Sequence, residues 1–239
     1  MKLYICKLGR VDYAEALAMQ ERMLELRQRN VVEDVLLLVE HPPVLTLGVR
    51  GDRANILIPE EFLRASGVSI YKVGRGGDVT YHGPGQIVGY PIIDLKGIGR
   101  DIKKFVWNVE EVFIQLLREQ FGIKAEREEK KYTGVWVGNE KITAIGIAVK
   151  QWVTMHGFAF NVNTDLAHFQ WINPCGLTDR GVTSLQKQLG QTLDFERMND
   201  MVAEYFVKVF GMEAVEVDHV QLMSREGTEA DEQCPNPIG

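Results

Sequence analysis

Cys175 sits in the turn Asn173-Pro174-Cys175-Gly176, where a thiol after proline among small and polar residues is expected to be accessible. Such a thiol suits nucleophilic attack. A free thiol has a pKa of about 8.5, however, so only a small fraction is thiolate at neutral pH, and a neighbouring base or cation would raise it. His82, His156 and Lys141 are candidates for that neighbour. Lys141 opens an apolar strand, a place where most lysines are simply solvated, so spacing alone does not choose among the three. A Cys-His pair would point to cysteine hydrolases, but the local cysteine signature of papain-like proteases is missing. Cys6 falls in an apolar strand and Cys234 in a polar tail, and both read as inert. The five histidines, His41, His82, His156, His168 and His219, match no zinc-ligand spacing, so no metal is expected; no other cofactor is expected either.

The second concentration of chemistry is Gly74–Gln86, GRGGDVTYHGPGQ. Glycine is costly to order, so five glycines beside Arg75, Thr80 and His82 suggest a backbone that must come close to a ligand. The stretch is not a P-loop, because no Gly-Lys-Ser/Thr follows, and not a dinucleotide fingerprint, because the third glycine position falls on Val79. A plain tight hairpin would explain the glycines but not the reactive side chains among them.

The flanking runs Val68–Val73 and Ile87–Leu95 are rich in apolar and β-branched residues and read as strands. Ahead of them come a strand over Lys2–Lys7, a helix from Asp12, a strand over Val35–Glu40 broken by His41-Pro42-Pro43, a strand over Val44–Leu47 and a short helix over Pro59–Ser66. Asp101 opens the clearest helix, stopped by Gly122. A charged turn over Glu126–Lys131 precedes strands at Tyr132–Val137, Lys141–Val149 and Trp152–Val162, the first two joined by a tight turn at Gly138-Asn139-Glu140. An irregular segment over Asn163–Asn173, a short helix over Val182–Leu189, an amphipathic helix over Phe195–Phe210 and a strand over Glu213–Val217 complete the order. Strands outnumber helices and come partly in adjacent pairs. This favours an α/β (α+β) architecture with a mixed, largely antiparallel central sheet flanked by helices, not a doubly wound parallel sheet. Residues 1–223 read as one domain, and residues 224–239 as a polar, mobile tail.

The 239-residue length suits one large domain, and 45% apolar with 25% charged residues is ordinary for a globular protein. A net charge of −6 argues against general nucleic-acid binding, which needs a basic footprint. No apolar run is long enough to span a bilayer, no signal-peptide pattern opens the chain, and three cysteines form no disulfide framework. The expectation is a cytoplasmic protein that binds neither nucleic acid nor membrane.

Five segments, in order, resemble the lipoyl (octanoyl) transferase family: EHPPVLTLG at Glu40–Gly48, RGGDVTYHGPGQ at Arg75–Gln86, KITAIG at Lys141–Gly146, HGFAFNVN at His156–Asn163, and INPCG at Ile172–Gly176 followed by GVTSL at Gly181–Leu185. The resemblance implies the α/β fold shared with biotin and lipoate protein ligases. It also implies transfer of an octanoyl or lipoyl group from an acyl carrier protein to a lysine of lipoyl domains, those of 2-oxoacid dehydrogenases and the glycine cleavage H protein. In that family Cys175 would carry the acyl thioester and Lys141 would handle the proton; the protein is expected to be a monomer. The substrate site would comprise Arg75, Gly76, Gly77, Asp78, Val79, Thr80, Tyr81 and His82, then Ala144, Ile145 and Gly146, and Gly157, Phe158 and Ala159. Asp78 fills a place the motif leaves open and receives no catalytic role; the tail after Ser224 has no counterpart in the motifs. Three other readings stand beside this one: an ATP-dependent lipoate or biotin ligase on the same fold, a silent acyl-binding scaffold, and a cysteine hydrolase.

Overall fold

The structure, a computed structural model, describes residues 1–128, 132–173 and 180–224. Cys175 and the tail beyond Ser224 lie outside the described residues.

Two sheets organise the chain. The larger has the order β12 (Glu213–Glu216), β1 (Lys2–Arg10), β2 (Asp34–Glu40), β6 (Gln86–Ile92), β10 (Val153–Asn161), β9 (Glu140–Lys150), β8 (Gly134–Val137) and β7 (Glu126–Arg127), with β11 (Gly181–Val182) also paired to β9. Its centre, from β2 across to β8, is antiparallel; β1 pairs in parallel with both β12 and β2, and β11 in parallel with β9. The sheet is therefore mixed and largely antiparallel, as the adjacent strand pairs predict. The smaller sheet has β3 (Val44–Leu47) between β4 (Ser69–Lys72) and β5 (Val79–His82).

Strand alternation sorts the core into layers. Along β2, Leu36 and Leu38 face one layer while Val35, Leu37 and Val39 face the other, so the strand is buried from Asp34 to Val39. The first layer packs against α3 (Ile102–Phe121) and α5 (Phe195–Phe210). Both helices are capped at each end. Asp101 accepts from the Lys104 N–H and Asp194 from the Arg197 N–H, while Gly122 and Gly211 close the C-termini in left-handed conformations. The second layer packs against α1 (Tyr13–Gln28). A third, smaller core lies between the small sheet, α2 (Glu60–Ala65) and the 3-10 turn Leu166–Trp171.

Four local readings need correction. Gly74–Gln86 is not one loop: Val79–His82 forms β5, because its alternating side chains pair antiparallel with β3. Glu126–Arg127 forms an edge strand on β8 where a charged turn was expected. Gly181–Val182 pairs with β9, so the next helix, α4 (Leu185–Leu189), begins only after it, with Ser184 capping it. A last helix, α6 (His219–Ser224), follows β12 where no element was expected.

Candidate active site

The glycine loop is stitched between the two sheets. On one side the N–H groups of Gly48, Val49 and Arg50 donate to the carbonyls of Asp78, Arg75 and Gly77, at 3.1, 3.0 and 3.1 Å. On the other side Gly76 N–H donates to the Ile147 carbonyl of β9 at 3.1 Å. Gly77 has φ +95°, which a side chain would strain. Gly146 allows the close approach from below: a Cβ there would stand 2.8 Å from the Gly76 carbonyl oxygen.

The side chains of the loop divide by direction. Arg75 is buried and grips β3, its guanidinium donating to the Thr46 carbonyl at 2.6 Å, twice to Thr46 Oγ1, and to the Gly76 carbonyl at 3.0 Å. Asp78 accepts from the Val79 N–H at 2.6 Å and from Asn55 Nδ2 at 2.7 Å. Asn55 in turn accepts, through its carbonyl, from the Asn173 N–H at 2.8 Å, next to the segment that carries Cys175. Asp78 is thus a loop anchor. Val79 and Tyr81 turn into the small-sheet core, where Tyr81 stacks on His168 with ring centres 4.9 Å apart. Thr80 and His82 face the other way.

That other way is a narrow cleft between the loop and the large sheet, open to solvent on one side. Arg75, Thr80 and His82 form its roof, and Ala144, Ile145 and Gly146 on β9 with Gly157, Phe158 and Ala159 on β10 form its floor. The structure therefore brings together nine of the residues that the resemblance assigns to the substrate. Gly76 and Gly77 stand behind this lining as backbone supports, while Asp78, Val79 and Tyr81 point elsewhere. The sequence reading missed Tyr13, Val88, Tyr90 and His156 as further lining. It also left His41 without a role. His41 Nδ1 lies 2.7 Å from the Val11 carbonyl and so carries the proton, which leaves Nε2 to accept from the Tyr90 hydroxyl at 2.7 Å. A histidine between Glu40 and two prolines was the available signal.

Burial keeps the cleft electrically quiet. It pushes the Tyr13 hydroxyl up to about 12 and the Tyr90 hydroxyl well up. It pushes His82 down to about 3, assisted by His41, and His156 down to about 4, assisted by the Arg75 charge. All four are neutral at pH 7, so neither histidine supplies a cation there. Arg75 is the charged group among the described lining residues. Apart from that guanidinium, which is held by Thr46 and the Gly76 carbonyl, the walls are uncharged and largely apolar, which suits an alkyl chain.

His82 Nδ1 donates to Gln86 Oε1 at 2.8 Å, and Gln86 Nε2 donates to Asn161 Oδ1 at 2.9 Å. Asn161 Nδ2 then donates to the Thr183 carbonyl at 3.0 Å. This buried chain of amides joins the roof, the end of β10 and the residues that follow the cysteine segment.

Lys141 lies near the start of β9, half-buried. Its Nζ donates to the Thr133 carbonyl at 3.2 Å and lies 4.7 Å from the centre of the Trp136 ring. Its charge also reaches Glu110 on α3; burial pushes that carboxyl up, while the Gly134 N–H it accepts and the nearby cations act the other way. Val182, a short step after Cys175, pairs with Lys141, and Thr183 N–H donates to the Lys141 carbonyl at 3.0 Å. Among the described residues no three His, Cys, Asp or Glu side chains group as a metal site, and no helix is long and apolar enough to cross a membrane.

Comparison with known proteins identifies the family and the fold. An octanoyltransferase of Desulforamulus reducens is 61% identical over 96% of this chain and all of its own length. One of Caldicellulosiruptor saccharolyticus is 64% identical over 88% of this chain and 90% of its own. Among solved structures, lipoate-protein ligase A bound with ATP superposes with a TM-score of 0.72 at 14% identity, covering 95% of this chain and 93% of that one. A putative lipoate protein ligase from Thermoplasma acidophilum with bound lipoic acid superposes at 0.71, also at 14% identity, covering 97% and 96%. Biotin protein ligase from Aquifex aeolicus superposes more loosely, at 0.51 and 13% identity, over 87% of this chain and 69% of that one. At such identities the likeness is one of fold. The model of the lipoyl protein ligase A/B catalytic domain matches residues 12–207. On that match and those identities, the chain belongs to the lipoyl protein ligase A/B catalytic-domain family.

Proposed function

We propose that this protein is an octanoyltransferase, moving an octanoyl group from acyl carrier protein to a lysine of a lipoyl domain by way of a thioester on Cys175. The observation that carries the reading is the cleft: a largely apolar slot, with the Arg75 guanidinium in its roof, between the glycine loop and the same strand, β9, that bears Lys141. In the first half-reaction the Cys175 thiolate attacks the acyl carbonyl, and the carrier thiol leaves with the proton that Cys175 gave up. In the second, a neutral lysine amine attacks the new thioester, Cys175 departs as thiolate, and the amine proton returns to the base. Lys141 serves as that base. The incoming lysine has an ordinary pKa of about 10.4, so removal of its proton is needed in both the attack and the collapse of the intermediate. Thioester exchange is nearly balanced and amide formation runs downhill, so no ATP is consumed. The acceptors are the lipoyl domains of 2-oxoacid dehydrogenases and the glycine cleavage H protein, and the enzyme works as a cytoplasmic monomer. An ATP-dependent ligase is the weaker reading, because the relatives above 60% identity bear the name octanoyltransferase and the ligases resemble this chain at 14%.

The test is intact-mass spectrometry after incubation with octanoyl-acyl carrier protein and no ATP. An octanoyl adduct that disappears in Cys175→Ala and persists in Cys6→Ser is expected; Cys6 is buried, and burial pushes its thiol up to about 11. Acylation that demands ATP, or an adduct that survives Cys175→Ala, overturns the proposal.

A further inference from the structure

The cleft has a defined far end. Lys141 lies near the start of β9, and the loop closes onto the same strand at Ile147, where Gly76 donates. Ile147 pairs with His156 across the β9–β10 ladder, so His156 stands at the level where roof and floor meet. Its backbone is unusual. His156 has φ +56°, a left-handed conformation that residues with a side chain seldom adopt, here within a strand. Its N–H donates to Gln20 Oε1 on α1 at 3.0 Å, which holds the kink in place. Two buried polar atoms then remain without a hydrogen-bond partner among the described residues: His156 Nδ1 and Gln20 Nε2. Of the pairs nearer Lys141, Ala144 and Ala159 turn their side chains to the cleft face, while Ile145 and Phe158 line it through backbone and pack their side chains on the α3 side; the end is polar.

We propose that His156, backed by Gln20, is the end-stop that sets the length of the acyl chain the cleft accepts. The inference deepens the acyl-transfer reading and rests on it for the identity of the ligand. An alkyl chain gains about fourfold in affinity for each methylene it buries against apolar wall. The gain ends at His156. A further methylene has to displace or cover polar atoms to which it offers no hydrogen bond, and burying them in that way is unfavourable. Affinity therefore rises with chain length up to the stop and falls beyond it.

The test measures binding of a homologous series of straight-chain fatty acids bracketing octanoate to the full chain, by titration calorimetry. His156→Gly removes the imidazole and suits φ +56°, so the fold tolerates it. It is expected to move the optimum to longer chains and to raise the dodecanoate-to-octanoate affinity ratio by about tenfold or more. His156→Asn also tolerates the left-handed backbone and keeps a polar end; its optimum is expected to stay with the wild type. Identical length profiles for wild type and His156→Gly overturn the proposal. Wild type that binds octanoate yet takes no acyl group from octanoyl-acyl carrier protein overturns the transferase reading instead, and the length profile still decides the role of His156.

Discussion

Gly146→Ala tests whether the glycine loop must lie against β9. The backbone of Gly146 has no positive φ, so alanine is not strained by its own dihedral; only space is at issue. The added Cβ would stand 2.8 Å from the Gly76 carbonyl oxygen and 3.1 Å from Arg75 Cδ. Ordinary contact begins at 3.4 Å, so the loop backbone has to retreat by about 0.6 Å. A retreat of that size lengthens the Gly76–Ile147 hydrogen bond, 3.1 Å at present, beyond useful range. Losing the bond costs about 1 kcal/mol, and the residual crowding raises the total to roughly 1–3 kcal/mol. For a chain of this size that is a fall in Tm of roughly 3–10 °C. Activity should suffer more. Misplacing a reacting group by about 1 Å costs on the order of a hundredfold, so acylation of Gly146→Ala is expected to slow about ten- to a hundredfold while the protein remains folded. Scanning calorimetry and single-turnover acylation read the two effects separately. Wild-type acylation at an unchanged Tm would show that the loop does not depend on this contact, and that its position does not govern the cleft.

Two further outcomes can be measured. His82 and His156 take up a proton near pH 6.5 when unfolded but only near pH 3 and 4 in the folded protein, so between those values the unfolded state binds more protons. Stability is then complete above pH 6.5 and falls as the pH drops, by up to about 1.4 kcal/mol per pH unit for each histidine. Urea titrations at about pH 7 and about pH 5 should differ by roughly 2–4 kcal/mol, and equal midpoints would refute the burial argument. Lys141→Ala is expected to slow acylation most near neutral pH and least in alkali, where the thiol ionises unaided. A pH–rate profile that parallels the wild type would remove Lys141 from the chemistry.

Periodicity and capping residues located nearly all the elements, because each signal is local. The helix at Phe195–Phe210 and the strand at Val44–Leu47 have the bounds that their spacing predicts. The motifs also named nine residues that the fold gathers around one cleft. What stayed hidden depends on partners distant in sequence. Tyr81 and Thr80 are neighbours in one strand, and only the packing of His168 and Trp171 reveals that Tyr81 belongs to the small core. Gly181–Val182 carries no strand signal of its own; β9 supplies it. The kink at His156 and the service of His41 to Tyr90 likewise require the tertiary fold.

The amide chain through Gln86, Asn161 and Thr183 has a consequence for accuracy. A roof, a floor and a returning chain drawn from three distant stretches of sequence would each bring its own positional error, and the errors would accumulate where they meet. Here the roof at His82, the end of β10 and the chain returning from the cysteine segment are referred to a single buried point. Asn161 faces both neighbours at once, donating to one and accepting from the other. Aspartate in its place would have no N–H to offer Thr183, and leucine would serve neither side. The site is held in alignment the way a kinematic mount holds a lens, by a common reference and not by stiffness in every part.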